Sequence, residues 1–280
     1  MLNVSFLVPE LRREFGGCAG NIAYNLHLLG GTPYIMATCG ADFAPYAAHL
    51  DKLNISRQYI RHVDDSFTAQ AFITTDLSDN QITAFHPGAM NFSHLNHADQ
   101  ISGISIGIIS PDGREGMLQH AREFHQAGTP FIFDPGQGMP MFDGNDLMEF
   151  LSMADYVTVN DYEAELLQTR TGKTLDELAP HVKALIVTRG ELGSRIYTEG
   201  KTLEIPCARA EAVLDPTGCG DAYRAGLLYG LEKGMDWPTT GRLAALMGAI
   251  KIAHRGGQNH APSQSDIKQL FKAEFRYDLN

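Results

Sequence analysis

"YVTVNDYEAELLQTRTG" occupies residues 156–172 and changes character in its middle. Tyr156, Val157, Thr158 and Val159 are aromatic or β-branched and Asn160 bounds them, the composition of a buried strand. From Tyr162 to Gly172 the spacing becomes that of a helix. A strand followed directly by a helix is one step of a parallel sheet, because parallel strands need a crossover between them.

The same alternation extends to both sides. "ISIGIIS" (104–110), "PFIFD" (130–134) and "ALIVTRG" (184–190) read as further buried strands, and "REGMLQHAREFHQAG" (114–128) and "DLMEFLSMA" (146–154) as helices between them. From residue 93 onward this predicts an α/β fold, a mostly parallel sheet covered by helices, with ligands at the carboxyl ends of the strands. Two segments break the rhythm. "LNVSFLVPELRREF" (2–15) and "FTAQAFITTDLSDNQITAFHP" (67–87) are strand-like, and "LSDNQ" in the second is a hairpin turn signal. Together they predict a small β-layer over the main sheet, placed to act as a lid.

The 280 residues are 44% hydrophobic and 20% charged, enough to bury a substantial core. A formal net charge of -11 disfavours non-specific binding of nucleic acid or anionic membranes and favours a small soluble ligand. Cys18, Cys39, Cys207 and Cys219 form no CxxC pair and read as reduced cytoplasmic thiols. No apolar run approaches the roughly 20 residues of a spanning helix, and the start has no signal-peptide pattern. The Asn-x-Ser triplets at Asn3, Asn54 and Asn91 are then chance matches.

A glycine-rich turn appears in "DPTGCGDAYRAGLLYGL" (215–231). Gly218, Cys219, Gly220 and Asp221 lead into a helix with Ala222, Ala225, Leu228 and Tyr229 on one face. First-turn N–H groups lack intrahelical partners and, with the macrodipole, form an anion cradle. Asp221 is either an N-cap for those amides or a general base facing a substrate hydroxyl while the amides hold a phosphoryl group. Cys219 adds a third reading, a thiolate nucleophile favoured by the helix N-terminus. Phosphatase loops space Cys and Arg one residue further apart than "CGDAYR" does, and the chain contains neither GxxxxGK[ST] nor a strand-to-helix GxGxxG.

Three further segments complete a pattern. "GGCAGNIAYNLHLLG" (16–30) joins two glycines to a small-residue helix with Asn21, Asn160 and Glu163 form Asn-x-x-Glu after a strand, and "IVTRGELGSRIY" (186–197) ends a strand in Thr-x-Gly with another glycine beyond. With "DPTGCGDAYRAGLL", close to D-[TP]-x-G-A-G-D with Cys219 for the usual alanine, these motifs make the chain resemble the ribokinase-like carbohydrate and nucleoside kinases, the PfkB family. The resemblance covers most of the chain. It implies a three-layer α/β sandwich with core residues 16–60 and 93–280, and a discontinuous β-sheet lid from residues 1–15 and 61–92. Relatives usually begin with a core strand bearing a Gly and a substrate-binding Asp. This chain begins with "MLNVSF", inside the lid, so that first core strand is expected to be missing.

By position, the resemblance implies that Asp221 is the general base and that the amides of Gly218, Cys219 and Gly220 form the anion hole. Asn160 and Glu163 would place Mg²⁺ through water beside the ATP phosphates, and Thr188, Arg189, Gly190 and Gly193 would line the nucleotide. Asp215 and Thr217, with the backbone near "RGGQN" (255–259), fall where some relatives hold a monovalent cation such as K⁺. Gly16, Gly17 and Asn21 match positions that contact acceptor hydroxyls. Cys18 replaces a lysine that meets the sugar in ribokinases, which argues against ribose. "ELRREFGGCAGNIAYNL", "FHPGAM" and "FDPGQG" resemble bacterial and archaeal adenosine and broad nucleoside kinases, with Phe6, Phe72 and Phe85 placed to stack on a base. The implied activity is ATP-dependent phosphorylation of the 5′-hydroxyl of adenosine or a related nucleoside, in a cytoplasmic homodimer joined through the lid. The alternatives are a fructose- or ribose-type sugar kinase and a nucleoside-binding protein without turnover.

Overall fold

The computed structural model describes residues 7, 8, 10–75 and 81–279. In chain order the first elements are α1 (Cys18–Leu28), β1 (Ala37–Cys39), α2 (Ala44–Lys52), β2 (Ile60–His62), β3 (Gln70–Thr75) and β4 (Gln81–His86). The α/β alternation follows: β5 (Gly107–Ile109), α3 (Arg114–Ala127), β6 (Phe131–Phe133), α4 (Gly144–Met153), β7 (Tyr156–Asn160), α5 (Asp161–Thr171), α6 (Leu175–Leu178) and β8 (Ala184–Thr188). The chain continues through β9 (Ser194–Thr198), β10 (Lys201–Ile205), α7 (Cys219–Glu232), α8 (Trp237–Ile252) and α9 (Gln264–Phe275).

The main sheet has the order β10-β9-β8-β7-β6-β5. Pairs β5 to β8 are parallel, as the intervening helices require, while the tight β8–β9 and β9–β10 connections make those pairs antiparallel. Both faces of the strands are covered. Phe131, Phe133, Val157, Val159, Leu185 and Val187 pack with α3, α4 and α5. Their neighbours Ile132, Ala184 and Ile186 point the other way and pack with α1, α7 and α8. This period of two, apolar on both sides, is why these strands read as continuous hydrophobic runs.

α5 begins where β7 ends. Asn160 accepts the Glu163 N–H at 2.8 Å, Glu163 returns the bond to the Asn160 N–H at 2.8 Å, and Gly172 closes the helix at φ 67°.

Two small sheets stand apart from the main one. β1 pairs β2 in parallel, and β3 pairs β4 as an antiparallel hairpin in the register Thr75↔Gln81. The hairpin expected from "LSDNQ" is therefore formed, although the turn itself lies outside the described residues. The strand expected over residues 2–15 is not formed by its described part. Residues 7, 8 and 10–17 are irregular, and Leu7 and Leu11 project into solvent, with no sheet against them among the described residues. Residues 1–6 and Pro9, and with them Phe6, lie outside the described set. Among the described residues β5 pairs only with β6, so that edge of the sheet carries no further strand. No described helix is long and apolar enough to cross a membrane.

Candidate active site

The parallel strands β5 to β8 bring their carboxyl ends to one edge of the sheet, which carries Ser110, Asp134, Asn160 and Thr188. The N-terminus of α7 reaches this edge. Its N-cap is Gly218 at φ 79°, a left-handed conformation that suits glycine, and a Cβ there would stand 3.3 Å from Asn21 Nδ2. No side chain caps the helix. Cys219 N–H donates to the Pro216 carbonyl at 3.1 Å, whereas the N–H groups of Gly218, Gly220 and Asp221 find no partner among the described residues. The free donors therefore differ from the expected set. The Cys219 amide is used in the turn, and the Asp221 amide is left free instead.

Asp221 is not an N-cap. Its Oδ2 accepts a hydrogen bond from Asn21 Nδ2 at 2.8 Å, across the packed faces of α1 and α7. Burial raises its pKa, with Asp134 pushing the same way and the Asn21 hydrogen bond and Arg224 opposing. Cys219, by contrast, is pushed up to about 11 by burial, so it is a neutral thiol and the nucleophile reading falls. Cys18 lies half-buried near the same carboxylates, and burial first, then Asp221 and Asp134, raises its pKa well above the ordinary thiol value.

The residues expected on the acceptor side are joined by a polar chain. Asn21 Oδ1 accepts from Gln258 Nε2 at 3.1 Å, and the same nitrogen contacts Tyr46 OH at 2.6 Å. Tyr46 OH donates to the Gly16 carbonyl at 2.8 Å, and Gln258 Oε1 lies 2.9 Å from His49 Nε2. Phe15 stacks on His49 with centroids 4.3 Å apart. Gly17 is the N-cap of α1 at φ 85°. Gly16, Gly17, Cys18 and Asn21 are thus brought beside Asp221, as the spacing of motifs alone could not establish.

At the end of β7 on the same sheet edge, Glu163 is 6% exposed rather than solvated, and its Oε1 also accepts from Asn160 Nδ2 at 2.9 Å. Burial raises its pKa, against the Asn160 N–H. Thr188 ends β8, and the turn beyond it uses Gly190 at φ 56° and Gly193 at φ 77°. A Cβ on Gly193 would sit 2.1 Å from the Ile205 carbonyl oxygen, so only glycine fits. The Arg189 guanidinium pairs with Glu204 of β10 and turns along the sheet edge.

A profile of the pfkB family carbohydrate kinases matches residues 2–264. The chain belongs to that family. The nucleoside kinase of Methanocaldococcus jannaschii is 33% identical over 269 residues, covering 95% of this chain and 88% of that protein. The Burkholderia thailandensis nucleoside kinase, solved in complex with inosine, is 57% identical with a TM-score of 0.96, covering 99% of this chain and 92% of that one. The Thermotoga maritima ribokinase, at 22% identity and a TM-score of 0.78 over 92% of this chain and 87% of that one, shares the fold.

At this edge of the pfkB-family fold lie two residues that the sequence motifs do not mark. Asp134 at the end of β6 and Arg224 in α7 form a buried ion pair at 2.6 Å. Ser110 Oγ donates to the other Asp134 oxygen at 2.9 Å, and Arg224 Nη1 donates to the Gly220 carbonyl at 3.1 Å. Burial works against the Arg224 charge, yet Asp134 and Asp221 outweigh it and hold its pKa above the ordinary value. The signal was present in "FDPGQG" and in the motif helix, but nothing local marks an Asp and an Arg 90 residues apart as partners.

Proposed function

We propose that this kinase transfers the γ-phosphoryl group of ATP to the 5′-hydroxyl of a purine nucleoside, adenosine or inosine. The observation that carries the reading is Asp221, held by Asn21 instead of capping α7, beside unpartnered N–H groups at the helix start. A carboxylate in that place takes the hydroxyl proton as the acceptor oxygen attacks, while the amides of Gly218, Gly220 and Asp221 receive the charge of the transferring group. Resemblance to two nucleoside kinases, one of them solved in an ADP-inosine complex, supports both the acceptor class and the use of ATP.

Asn160 and Glu163 fit a water-mediated Mg²⁺ site, since Asn160 Oδ1 and the two Glu163 oxygens each accept one N–H and retain a lone pair. Bound there, Mg²⁺ would screen the phosphate charge. Thr188, Gly190 and Gly193 shape the nucleotide side, with Arg189 held back by Glu204. The β3–β4 hairpin exposes Phe72 and Ile82 on one face and Ile73 and Phe85 on the other. One face is suited to close over a base, excluding water from the transfer, and the other to meet a second copy. Free cysteines and a need for ATP support a cytoplasmic reaction.

Phosphate transfer from ATP to a panel of nucleosides and sugars tests the reading. Purine nucleosides are expected to give the highest kcat/KM. Preferred turnover of fructose or ribose would assign a sugar kinase, and nucleoside binding without product would assign a binding protein.

A further inference from the structure

Lys251, at the end of α8, is fully buried. Its Nζ donates to the main-chain carbonyls of Asp215 at 2.8 Å and His254 at 2.9 Å. Among the described residues it forms no ion pair. A buried ammonium is costly unless its hydrogens are matched, and here the match is a pair of carbonyl oxygens from two loops. Those loops are joined again by the Asp215 carboxylate, which accepts the Thr217 N–H and the Gly256 N–H, each at 2.8 Å. The next residue, Gly257, packs so closely on Asn21 that a Cβ would come 2.4 Å from its Oδ1.

A free monovalent cation does not fit this donor set. The carbonyls of Asp215 and His254 are already taken by an ammonium, and a second cation beside that charge would be repelled by it. We propose that Lys251 is a built-in cation: its ammonium, tethered by α8, holds the 214–218 and 253–257 loops together behind the anion cradle and replaces K⁺. Lys251 is thus a positioning residue for the transfer proposed above, on which this role rests, and the enzyme works without regard to the monovalent salt. Ammonium and K⁺ are similar in size and both bind carbonyl oxygens, so removing the side chain creates a vacancy that K⁺ fills.

Thermal melting and nucleoside phosphorylation are measured for the wild type, Lys251→Ala and Lys251→Met in KCl, NaCl and NH₄Cl at equal ionic strength. The wild type is expected to show the same Tm and kcat in all three salts. Lys251→Ala is expected to lose about tenfold or more in kcat in NaCl, with little change in KM, and to recover both kcat and Tm in KCl or NH₄Cl. Lys251→Met, which fills the space, is expected to stay low in every salt. A wild type activated several-fold by K⁺ overturns the proposal, whether or not the variants fold. So does a Lys251→Ala protein whose Tm and kcat ignore the cation. Absence of turnover in every protein sinks the kinase reading alone, because the K⁺-specific Tm of Lys251→Ala still decides the role of the lysine.

Discussion

Asn21 Nδ2 and Asp221 Oδ2 meet at 2.8 Å although 200 residues separate them in the chain. The bond keeps the carboxylate away from the first-turn amides that its sequence position would otherwise invite it to cap. Asn21 is fixed in turn by Gln258, so the carboxylate is oriented by residues from both ends of the chain.

Asp221→Asn keeps the shape and the Asn21 contact distance but removes the proposed base. It is expected to lower kcat by about 10²–10⁴-fold with little change in KM. Asn21→Ala, which only frees the carboxylate, is expected to cost less, about tenfold. Steady-state kinetics on variants whose melting matches the wild type check both; an Asp221→Asn enzyme at full rate would exclude general-base catalysis by this residue.

The pH profile follows from the raised pKa of Asp221. With Asp221 as the proposed base the ionised form is the working one, so activity is expected to fall as pH is lowered through that pKa, with the acid limb above the ordinary carboxylate range. The Asn21 hydrogen bond favours the ionised form, so its loss in Asn21→Ala moves the limb to higher pH. A limb that does not move would show that Asn21 acts on geometry alone.

Arg224 and Asp134 are a buried pair, and removing one leaves the other uncompensated. Arg224→Met is expected to cost about 3–5 kcal/mol, a fall in Tm of roughly 10 °C. The double variant Asp134→Asn/Arg224→Met is expected to recover much of that loss. Equal melting of the single and double variants would mean that the ion pair is not what stabilises the contact.

Asp112, in the loop after β5, has its pKa pushed up to about 7 from an ordinary 3.8, chiefly by burial and against the Gly113 N–H. The folded state therefore holds a proton that the unfolded chain has lost, and stability contributed by this group falls as pH rises from about 4 to about 7. Asp112→Asn removes that penalty. Its Tm is expected to exceed the wild type by about 2 °C or more at pH 8, with a smaller gain or none at pH 5. Scanning calorimetry at the two pH values measures it, and the same gain at both would refute the assignment.

The strands and helices were legible because their signals are local. β6, β7 and β8 announced themselves through β-branched and aromatic runs, and α3 and α5 end at Gly128 and Gly172 as their sequences suggest. "ISIGIIS" promised a longer strand than the three residues of β5, because apolar content marks burial and not the extent of a ladder. The described part of residues 2–15 misled for the same reason: strand-like composition means little without a neighbouring strand, and among the described residues Leu7 and Leu11 have none. The role of Cys219 was readable only in part. Its place in the turn was evident, but not that its N–H would be taken by Pro216 or its thiol kept neutral by burial.

Residue order thus settled the layered α/β fold, the family and the neighbourhood of Asp221, since hydrophobic period and motif spacing act over a few residues. Packing in three dimensions settled the rest. Asn21 meets Asp221 across 200 residues, Asp134 meets Arg224 across 90, and Lys251 reaches Asp215 across 36. Each of these pairings depends on which helices lie side by side on the sheet. Only there do burial and opposing charge act on groups that the linear chain keeps far apart.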